Sequence, residues 1–347
     1  MKSADLIELA SKHGFELAGV ISAGPLAESE HYLDWATRGL AGEMHYLTDH
    51  RAQKRRDVRN LLPSAKSVLV VGKLYNTDDP YSTDQDMDRK GWISRYAWSN
   101  DYHTSMKQQL TSVAEKIVAV TNCDYKVCVD TAPLLERALA KQAGLGWIGK
   151  NTCLINQQQG SWFFLGELLL SLDLHLEAHT PPPDRCGSCT RCISACPTDA
   201  IVPTGSPTGP SYELDARRCI SYFTIELRGT IPEDMRHGMG SHIFGCDICQ
   251  DVCPWNRKAP STNDPNFQPR NIAPALEDMA ALSPLEFRQR FHDTPVERTR
   301  HRGFLRNVAV AMGNSQDRKF EAALHSLALH EDEVVRQHAT WGLDQLL

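Results

Sequence analysis

The chain has no hydrophobic run long enough to cross a membrane and no excess of basic charge. Its 347 residues are 41% hydrophobic and 23% charged, with a net charge of −6. A membrane-spanning helix needs about 20 successive apolar residues, and no stretch approaches that length. Residues 1–20 are typical of an amphipathic helix with acidic side chains, so we expect no secretory signal. The net charge argues against nucleic-acid binding through bulk charge, which leaves local basic patches as the alternative.

Common cofactor motifs are missing as well. The glycine-rich segment 143–151 has neither the G-K-S/T ending of a P-loop nor the G-x-G-x-x-G of a dinucleotide site. Its glycines would suit close approach to a large flat cofactor or simply a tight loop. The C-x₃-C-x₂-C pattern of radical enzymes is absent too, because Asp199 and Asn256 occupy the place of its third cysteine. These absences disfavour three enzyme classes.

Cysteine, by contrast, is concentrated in one part of the chain. Eight of the eleven cysteines are Cys186, Cys189, Cys192, Cys196, Cys219, Cys246, Cys249 and Cys253. The first four follow the spacing C-x₂-C-x₂-C-x₃-C and precede a proline, as in bacterial ferredoxins. Eight thiolates are the number that two cubane 4Fe–4S clusters require. The pattern therefore predicts a protein that moves electrons.

The fourth cysteine of such a run ligates the other cluster. Three cysteines on a tight loop can surround three corners of one cube, while the fourth points away from it. By this symmetry and by counting, we assign two sets of ligands. One set is Cys186, Cys189, Cys192 and Cys253, and the other is Cys196, Cys219, Cys246 and Cys249. Four-cysteine zinc sites and a disulfide framework are disfavoured alternatives.

The remaining pattern predicts an α+β fold in three parts. Residues 1–174 alternate between helix and strand in an α/β-like arrangement, and the apolar run 67–75 is typical of a strand buried on both faces. A proline-rich boundary signal follows, and residues 175–282 then form a ferredoxin-like part. Residues 283–347 show only helical patterns.

The last part resembles HEAT-type repeats, with Ser283 and Asp332 as predicted N-caps. About one and a half such repeats fit the available length, and so few cannot bury a core alone. We therefore expect these helices to pack on another part of the chain.

Asp130 ends a predicted strand over 125–130. The carboxyl end of a strand in an open α/β sheet is where ligands bind. The alternative is that Asp130 is the N-cap of a helix predicted over 134–143, and spacing alone favours the cap. Nearby, Asp101 would cap a helix predicted over 103–120.

Two other groups have a functional and a structural interpretation. Tyr102 and His103, in a segment dense in aromatic and ionisable groups, would be either site residues or surface residues of a first helical turn. The basic run at Arg51, Lys54, Arg55, Arg56 and Arg59 would either meet phosphate or form a solvated face.

Several segments together resemble the epoxyqueuosine reductase family. They are G-E-M-H-Y-L (42–47), S-R-Y-A-W-S-N-D-Y-H (94–103), V-D-T-A-P-L-L-E-R-A-L-A-K-Q-A-G-L-G-W-I-G-K-N (129–151), F-F-L-G-E-L-L (163–169), R-R-C-I-S-Y-F-T-I-E-L-R-G (217–229), C-P-W-N (253–256) and the cysteine groups. The resemblance covers nearly the whole chain. It implies a cobalamin-dependent iron–sulfur enzyme that reduces the epoxide of epoxyqueuosine in a tRNA anticodon, the last step of queuosine synthesis.

The resemblance also implies roles for particular residues. An external low-potential donor would feed electrons through the two clusters to cobalamin, whose Co(I) state acts on the epoxide. Asp130 would donate the proton, which overrides its capping interpretation. Arg55, Tyr102 and His103 would contact the cofactor or line the pocket, although Val58 departs from the family pattern near Arg55.

Other properties follow from the same resemblance. No Asp-x-His-x-x-Gly motif is present, so we expect no protein histidine on cobalt. The helical tail and its arginines would hold tRNA, and we expect a cytoplasmic monomer without membrane association. A dehalogenase-like corrinoid reductase and a non-catalytic electron carrier are the alternative functions.

Overall fold

The computed structural model describes residues 1–84, 89–174, 176, 180–205 and 210–346. Within these ranges ten strands are present: β1 (Leu17–Ser22), β2 (Ser67–Leu74), β3 (Trp92–Ile93), β4 (Tyr125–Cys128), β5 (Trp147–Ile148), β6 (Leu154–Ile155), β7 (Phe163–Leu170), β8 (Ile201–Pro203), β9 (Tyr212–Leu214) and β10 (His242–Phe244).

The same ranges contain fourteen α-helices: α1 (Ser3–Lys12), α2 (Glu28–Thr37), α3 (His45–Thr48), α4 (Arg51–Lys54), α5 (Tyr102–Thr121), α6 (Glu136–Gln142), α7 (Arg191–Ala195), α8 (Glu233–Arg236), α9 (Ile248–Asp251), α10 (Leu276–Ala280), α11 (Pro284–Arg290), α12 (Arg300–Ser315), α13 (Glu321–Ala328) and α14 (Glu333–Asp344). A π-helical turn spans Tyr222–Glu226. Among the helices described, none is both long and apolar enough to cross a membrane.

The first part of the chain is built around a four-stranded sheet of order β1-β2-β7-β4. Every residue of β2 is buried, because α1 and α5 cover one face of the sheet and α6 covers the other. The prediction of a strand buried on both faces is confirmed. All neighbouring strands of this sheet run antiparallel, which differs from the predicted α/β-like arrangement. A continuous apolar run indicates two covered faces but not the direction of the neighbouring strands.

The C-terminal helices pack on the rest of the chain, as expected for so few repeats. Val308 in α12 belongs to the same hydrophobic core as Trp92 in β3 and Phe244 in β10. Ser283 caps α11 through a capping box, and Asp332 caps α14. The mixed helix–strand architecture and the helical tail are therefore confirmed.

The hydrophobic cores cross the boundaries that separate the three predicted parts. β3, from the first part, pairs in parallel with β10 from the cysteine-rich part, and both pack against the C-terminal helices. The division at residues 174–175 and 282–283 thus stays a prediction. Residues 175 and 177–179, which adjoin the first boundary, lie outside the described residues.

Candidate functional site

Four cysteines from two distant segments line one cavity of about 250 Å³. They are Cys186, Cys189, Cys192 and Cys253. The first three lie on a tight loop leading into α7, in which the N–H of Cys189 donates to the carbonyl of Cys186 at 3.0 Å. Burial, followed by the neighbouring thiols of Cys253 and Cys186, raises the pKa of Cys192 to about 11. This grouping is the first predicted set.

The other four cysteines also influence one another. Burial raises the pKa of Cys246, and the nearby Cys219 and Cys196 raise it further. A hydrogen bond with Cys153 is the main cause of the raised pKa of Cys249, with burial next, and Cys246 adds to it. Thiolates are the form that binds iron, so a strongly cationic group would be needed to keep these thiols ionised. Cys153, which lies outside the eight predicted ligands, is thus a neighbour of the second set.

A second site lies where β4 ends and α5 begins. The Nδ1 of His103 lies 2.6 Å from Oδ1 of Asp101, and its Nε2 lies 3.1 Å from Oδ2 of Asp130. Asp101 also accepts the backbone N–H of His103 at 3.0 Å and caps α5, as predicted. One imidazole is therefore held between two carboxyl groups.

The two carboxyl groups determine the charge of the imidazole. Burial lowers the pKa of His103, but the hydrogen bonds to Asp101 and Asp130 outweigh burial and raise the pKa to about 9. Burial raises the pKa of Asp130, and His103 and Arg298 more than offset it, so this pKa is lowered. At neutral pH the site contains an imidazolium between two carboxylates.

Asp130 does not cap the following helix. The helix α6 begins at Glu136, and the residue before it, Leu135, makes no side-chain cap. Asp130 has a positive φ of 55°, and its backbone N–H donates to Oε1 of Glu136 at 2.7 Å. Left-handed backbone is uncommon for residues other than glycine and often marks functional positions. The side chain of Asp130 is 40% exposed and faces His103.

Residues from all three predicted parts gather near Asp130. Arg298, just before α12, lies 2.6 Å from Oε1 of Glu226 and donates to the hydroxyl of Tyr46 at 3.2 Å. Tyr96 is close enough for Arg298 and Asp130 to affect its pKa, which burial raises. Tyr46, Tyr96 and Glu226 were not predicted as site residues. Each lies inside a segment that carries the family resemblance, and only this location could have indicated a role in the site.

The remaining predicted residues have structural contacts of their own. Arg55 is buried, donates to the carbonyl of Tyr46 at 3.2 Å and lies over the ring of Tyr32. Tyr102 stacks on Phe164 with a centroid separation of 3.8 Å. In the glycine-rich segment, a Cβ on Gly146 would lie 2.2 Å from a backbone oxygen, which favours the tight-loop interpretation.

The basic run of the first part is largely neutralised by neighbouring carboxylates. Arg51 pairs with Asp49 at 2.6 Å, and Arg59 pairs with Asp57 at 2.5 Å. Arg56 forms an ion pair as well, with Glu30. These contacts favour the interpretation as a solvated face.

Two family models match the chain. Residues 185–256 match a 4Fe–4S double cluster binding domain, and residues 55–131 match a model described as epoxyqueuosine reductase QueG, DUF1730. The first match contains every cysteine of the two sets. The fold and the cysteines therefore define an iron–sulfur oxidoreductase.

Relatives and solved structures agree with this class. The chain is 43% identical to an epoxyqueuosine reductase from Xanthomonas campestris over 99% of this chain and 96% of that protein. It is 40% identical to one from Pseudomonas aeruginosa over 95% and 90% of the two chains. The chain belongs to the epoxyqueuosine reductase family, whose enzymes depend on cobalamin.

Two solved structures of epoxyqueuosine reductase are similar over 99% of this chain. One, with an epoxyqueuosine-modified tRNA-Tyr stem loop, has a TM-score of 0.87 and 28% identity, with 89% of that chain covered. The other, from Bacillus subtilis, has a TM-score of 0.84 and 28% identity, with 90% covered; its catalytic loop is swung out of the active site.

Proposed function

We propose that this chain reduces the epoxide of epoxyqueuosine in a tRNA anticodon, with two 4Fe–4S clusters and cobalamin as cofactors. One observation carries the proposal beyond family membership. A protonated His103 contacts Asp130, whose side chain is partly exposed. Opening an epoxide reductively leaves an oxygen that must take up a proton, and this pair holds one. The predicted electron donor, cytoplasmic location and monomeric state stay predictions.

The residues around Asp130 would hold cobalamin without His103 as a ligand, and the absence of any protein histidine on cobalt stays a prediction. Both ring nitrogens of His103 are occupied by carboxyl groups, so this imidazole has no free nitrogen for a metal. Tyr102, His103 and Asp130 would hold the cofactor. Arg55 would support the site indirectly, because it donates a hydrogen bond to the carbonyl of Tyr46. When bound, cobalamin would supply the strongly reducing cobalt centre that receives electrons from the clusters.

The proton path follows from the charges in the site. Asp130 is ionised at rest, and the proton to be used resides on Nε2 of His103. As the C–O bond breaks and negative charge develops on oxygen, Asp130 takes the proton from Nε2 of His103 and passes it to the oxygen, which leaves His103 neutral and Asp130 ionised again. General acid catalysis of this kind contributes about 10²–10⁴-fold. The guanidinium of Arg298 is near enough to lower the pKa of Asp130, so it would add positive charge on this side of the site.

The two predicted cysteine sets would ligate the clusters. Cys253 joins the three cysteines of the first loop around a single cavity, which supports the crossed assignment. The set that contains Cys246 and Cys249 adjoins the Asp130 site through Tyr96, because Asp130 and Asp247, the neighbour of Cys246, both raise the pKa of Tyr96. We therefore expect electrons to enter at the first cluster and leave from the second.

A basic surface beside the site would hold tRNA phosphates. It consists of Arg228, Arg298, Arg300 and Arg302, hereafter the arginine surface. Burial lowers the pKa of Arg228, and the guanidinium groups of Arg300, Arg298 and Arg302 lower it further. Crowded like charges of this kind are stabilised when a polyanion binds.

The experiment is a turnover assay with anaerobic protein loaded with clusters and cobalamin. Epoxyqueuosine-bearing tRNA and a chemical reductant are added, and the nucleosides are then analysed by mass spectrometry. Conversion of epoxyqueuosine to queuosine is the expected result. A fully loaded protein that leaves the epoxide intact would contradict the proposal and favour the electron-carrier alternative.

A further inference from the structure

A second pair of carboxyl groups lies behind Asp130. Glu167, in the middle of β7, stands between Val70 of β2 and Cys128 of β4 and is fully buried. Among the described residues, no donor reaches either carboxyl oxygen of Glu167. The carboxyl group of Glu136, at the start of α6, is close enough for the two groups to affect each other's pKa, and it would share a hydrogen bond with Glu167 once one of them is protonated.

Glu167 is fully buried and Glu136 partly buried, and two neighbouring carboxylates in such a place cannot both be ionised without strong repulsion. A single proton resolves the problem, because a protonated carboxyl donates to its ionised neighbour and both groups gain a partner. Burial raises the pKa of both groups, that of Glu136 to about 7. This pair therefore holds a proton near neutral pH.

The charged and titratable groups that face the pair act in opposite directions. The carboxylate of Asp130 raises the pKa of Glu136, whereas the guanidinium of Arg137 lowers it. Cys128, on the neighbouring strand, has a pKa raised to about 12, chiefly by burial. Burial also raises the pKa of Tyr102, on α5, well above its ordinary value. Both stay neutral in the range where the pair titrates.

The pair is connected directly to the Asp130 backbone. Oε1 of Glu136 accepts the N–H of Asp130 at 2.7 Å, and Asp130 has the left-handed conformation that an aspartate adopts only at a cost in free energy. A fixed acceptor at this point stabilises that conformation, and the conformation directs the side chain toward His103.

We propose that Glu136 and Glu167 are positioning residues for Asp130. Their shared proton holds the Glu136 carboxyl in place, and Glu136 in turn holds the Asp130 backbone and keeps its side chain on His103. Loss of the proton makes the two carboxylates repel each other and releases the segment 130–135. The catalytic importance of this contact rests on the proposed function, but the contact itself requires no substrate.

The test is hydrogen–deuterium exchange of the segment 129–135 in the full-length, cofactor-loaded protein. Glu136→Ala should exchange about tenfold faster than wild type, the change expected when one charge-assisted hydrogen bond is lost. Glu136→Gln should restore slow exchange, because its amide oxygen accepts the same N–H. Glu115→Ala, an exposed change on α5, is the matched control and should have no effect.

The pH dependence distinguishes positioning from a merely structural role. In wild type, exchange corrected for intrinsic chemistry should accelerate as the pH rises through about 7. Glu167→Gln donates permanently to Glu136, so its corrected exchange should not depend on pH. Unchanged exchange in Glu136→Ala, or equal pH dependence in Glu167→Gln and wild type, would overturn the proposal.

Turnover of epoxyqueuosine-tRNA by the same variants separates the two proposals. Exchange that changes as expected together with lower turnover in Glu136→Ala supports both. If all variants exchange as expected but the wild-type protein shows no turnover, the positioning contact is supported and the proposed function is contradicted. If Glu136→Ala does not fold, the Glu167→Gln pH profile decides alone.

Discussion

Arg298 lies 2.6 Å from Glu226. This ion pair joins the C-terminal helical part of the chain to the cysteine-rich part, near Asp130 of the first part. Glu226 ends the π-helical turn that follows Cys219, and Arg298 lies in the helical tail, just before α12. The positive charge of Arg298 contributes to the lowered pKa of Asp130 in the first part. The proton donor, the cluster-binding part and the tail are thus coupled electrostatically at one point, although their sequences are far apart.

Replacement of Asp130 by Asn should leave the fold intact and reduce turnover by at least about 10²-fold. Asn tolerates the left-handed backbone that Asp130 adopts, since it is enriched there, but it cannot deliver a proton. The measurement is turnover of epoxyqueuosine-tRNA together with iron, cobalamin and circular dichroism.

A matched control is Asp293→Asn, because Asp293 also has a positive φ of 55°. This control should retain normal turnover. Near-normal turnover by Asp130→Asn would remove Asp130 from the mechanism and make His103 the next candidate acid.

Activity should fall in two steps as the pH rises, one near 7, where the Glu136–Glu167 pair loses its proton, and one near 9, where His103 loses the proton that Asp130 uses. The second step is the alkaline limb assigned to His103. Asp101→Asn removes one of the two carboxylates that raise the pKa of His103. The alkaline limb of its pH–rate profile should therefore move to lower pH. The measurement is single-turnover reduction from about pH 6 to about pH 10, a range that contains both the ordinary pKa of about 6.5 and the raised pKa of about 9. An alkaline limb that stays in place in Asp101→Asn would contradict the assignment to His103.

The same group should make stability depend on pH. Its folded pKa is raised, so its stabilising contribution is fully present below the unfolded pKa of about 6.5 and is lost as the pH rises to about 9. Urea unfolding of wild type and His103→Gln across this range measures the difference. The wild-type advantage should shrink toward alkaline pH, whereas a constant advantage would mean that protonation of His103 does not contribute.

Local patterns in the sequence predicted local structure well. The apolar run 67–75 predicted β2, and Asp101, Ser283 and Asp332 were correctly predicted as N-caps, because capping depends on residues within one turn. The strand direction was not predictable, because burial on two faces is compatible with either direction. The pair of Glu136 and Glu167 was also missed. It arises where a helix packs on the central strand, and a single sequence has no signal for that contact.

Anaerobic protein should contain about eight iron and eight sulfide per chain, the content of two 4Fe–4S clusters. Cys253→Ser should damage the cluster of the first loop, because Cys253 shares a cavity with Cys186, Cys189 and Cys192. Electron paramagnetic resonance of the reduced variant should show one intact cluster. Cys123→Ser, which lies outside both sets, should keep both. Loss of the cluster held by Cys246 and Cys249 instead would show that the crossed assignment is wrong.

Replacement of Arg298, Arg300 and Arg302 by Ala should weaken tRNA binding without changing cluster or cobalamin content. If each guanidinium contacts a phosphate, the slope of log affinity against log salt should fall by roughly two to three. Arg51, Arg56 and Arg59 provide a control triple with the same loss of charge. Arg298 and Arg302 have carboxylate partners, as the control arginines do, so the two triples differ in position rather than in pairing. If tRNA binds at the arginine surface, replacement of the control triple should alter the slope little. Binding measured by fluorescence anisotropy over a salt series compares the two triples. An unchanged slope in the first triple and a reduced slope in the control would place the tRNA surface on the 51–59 run instead, because counterion release reports where phosphates are contacted.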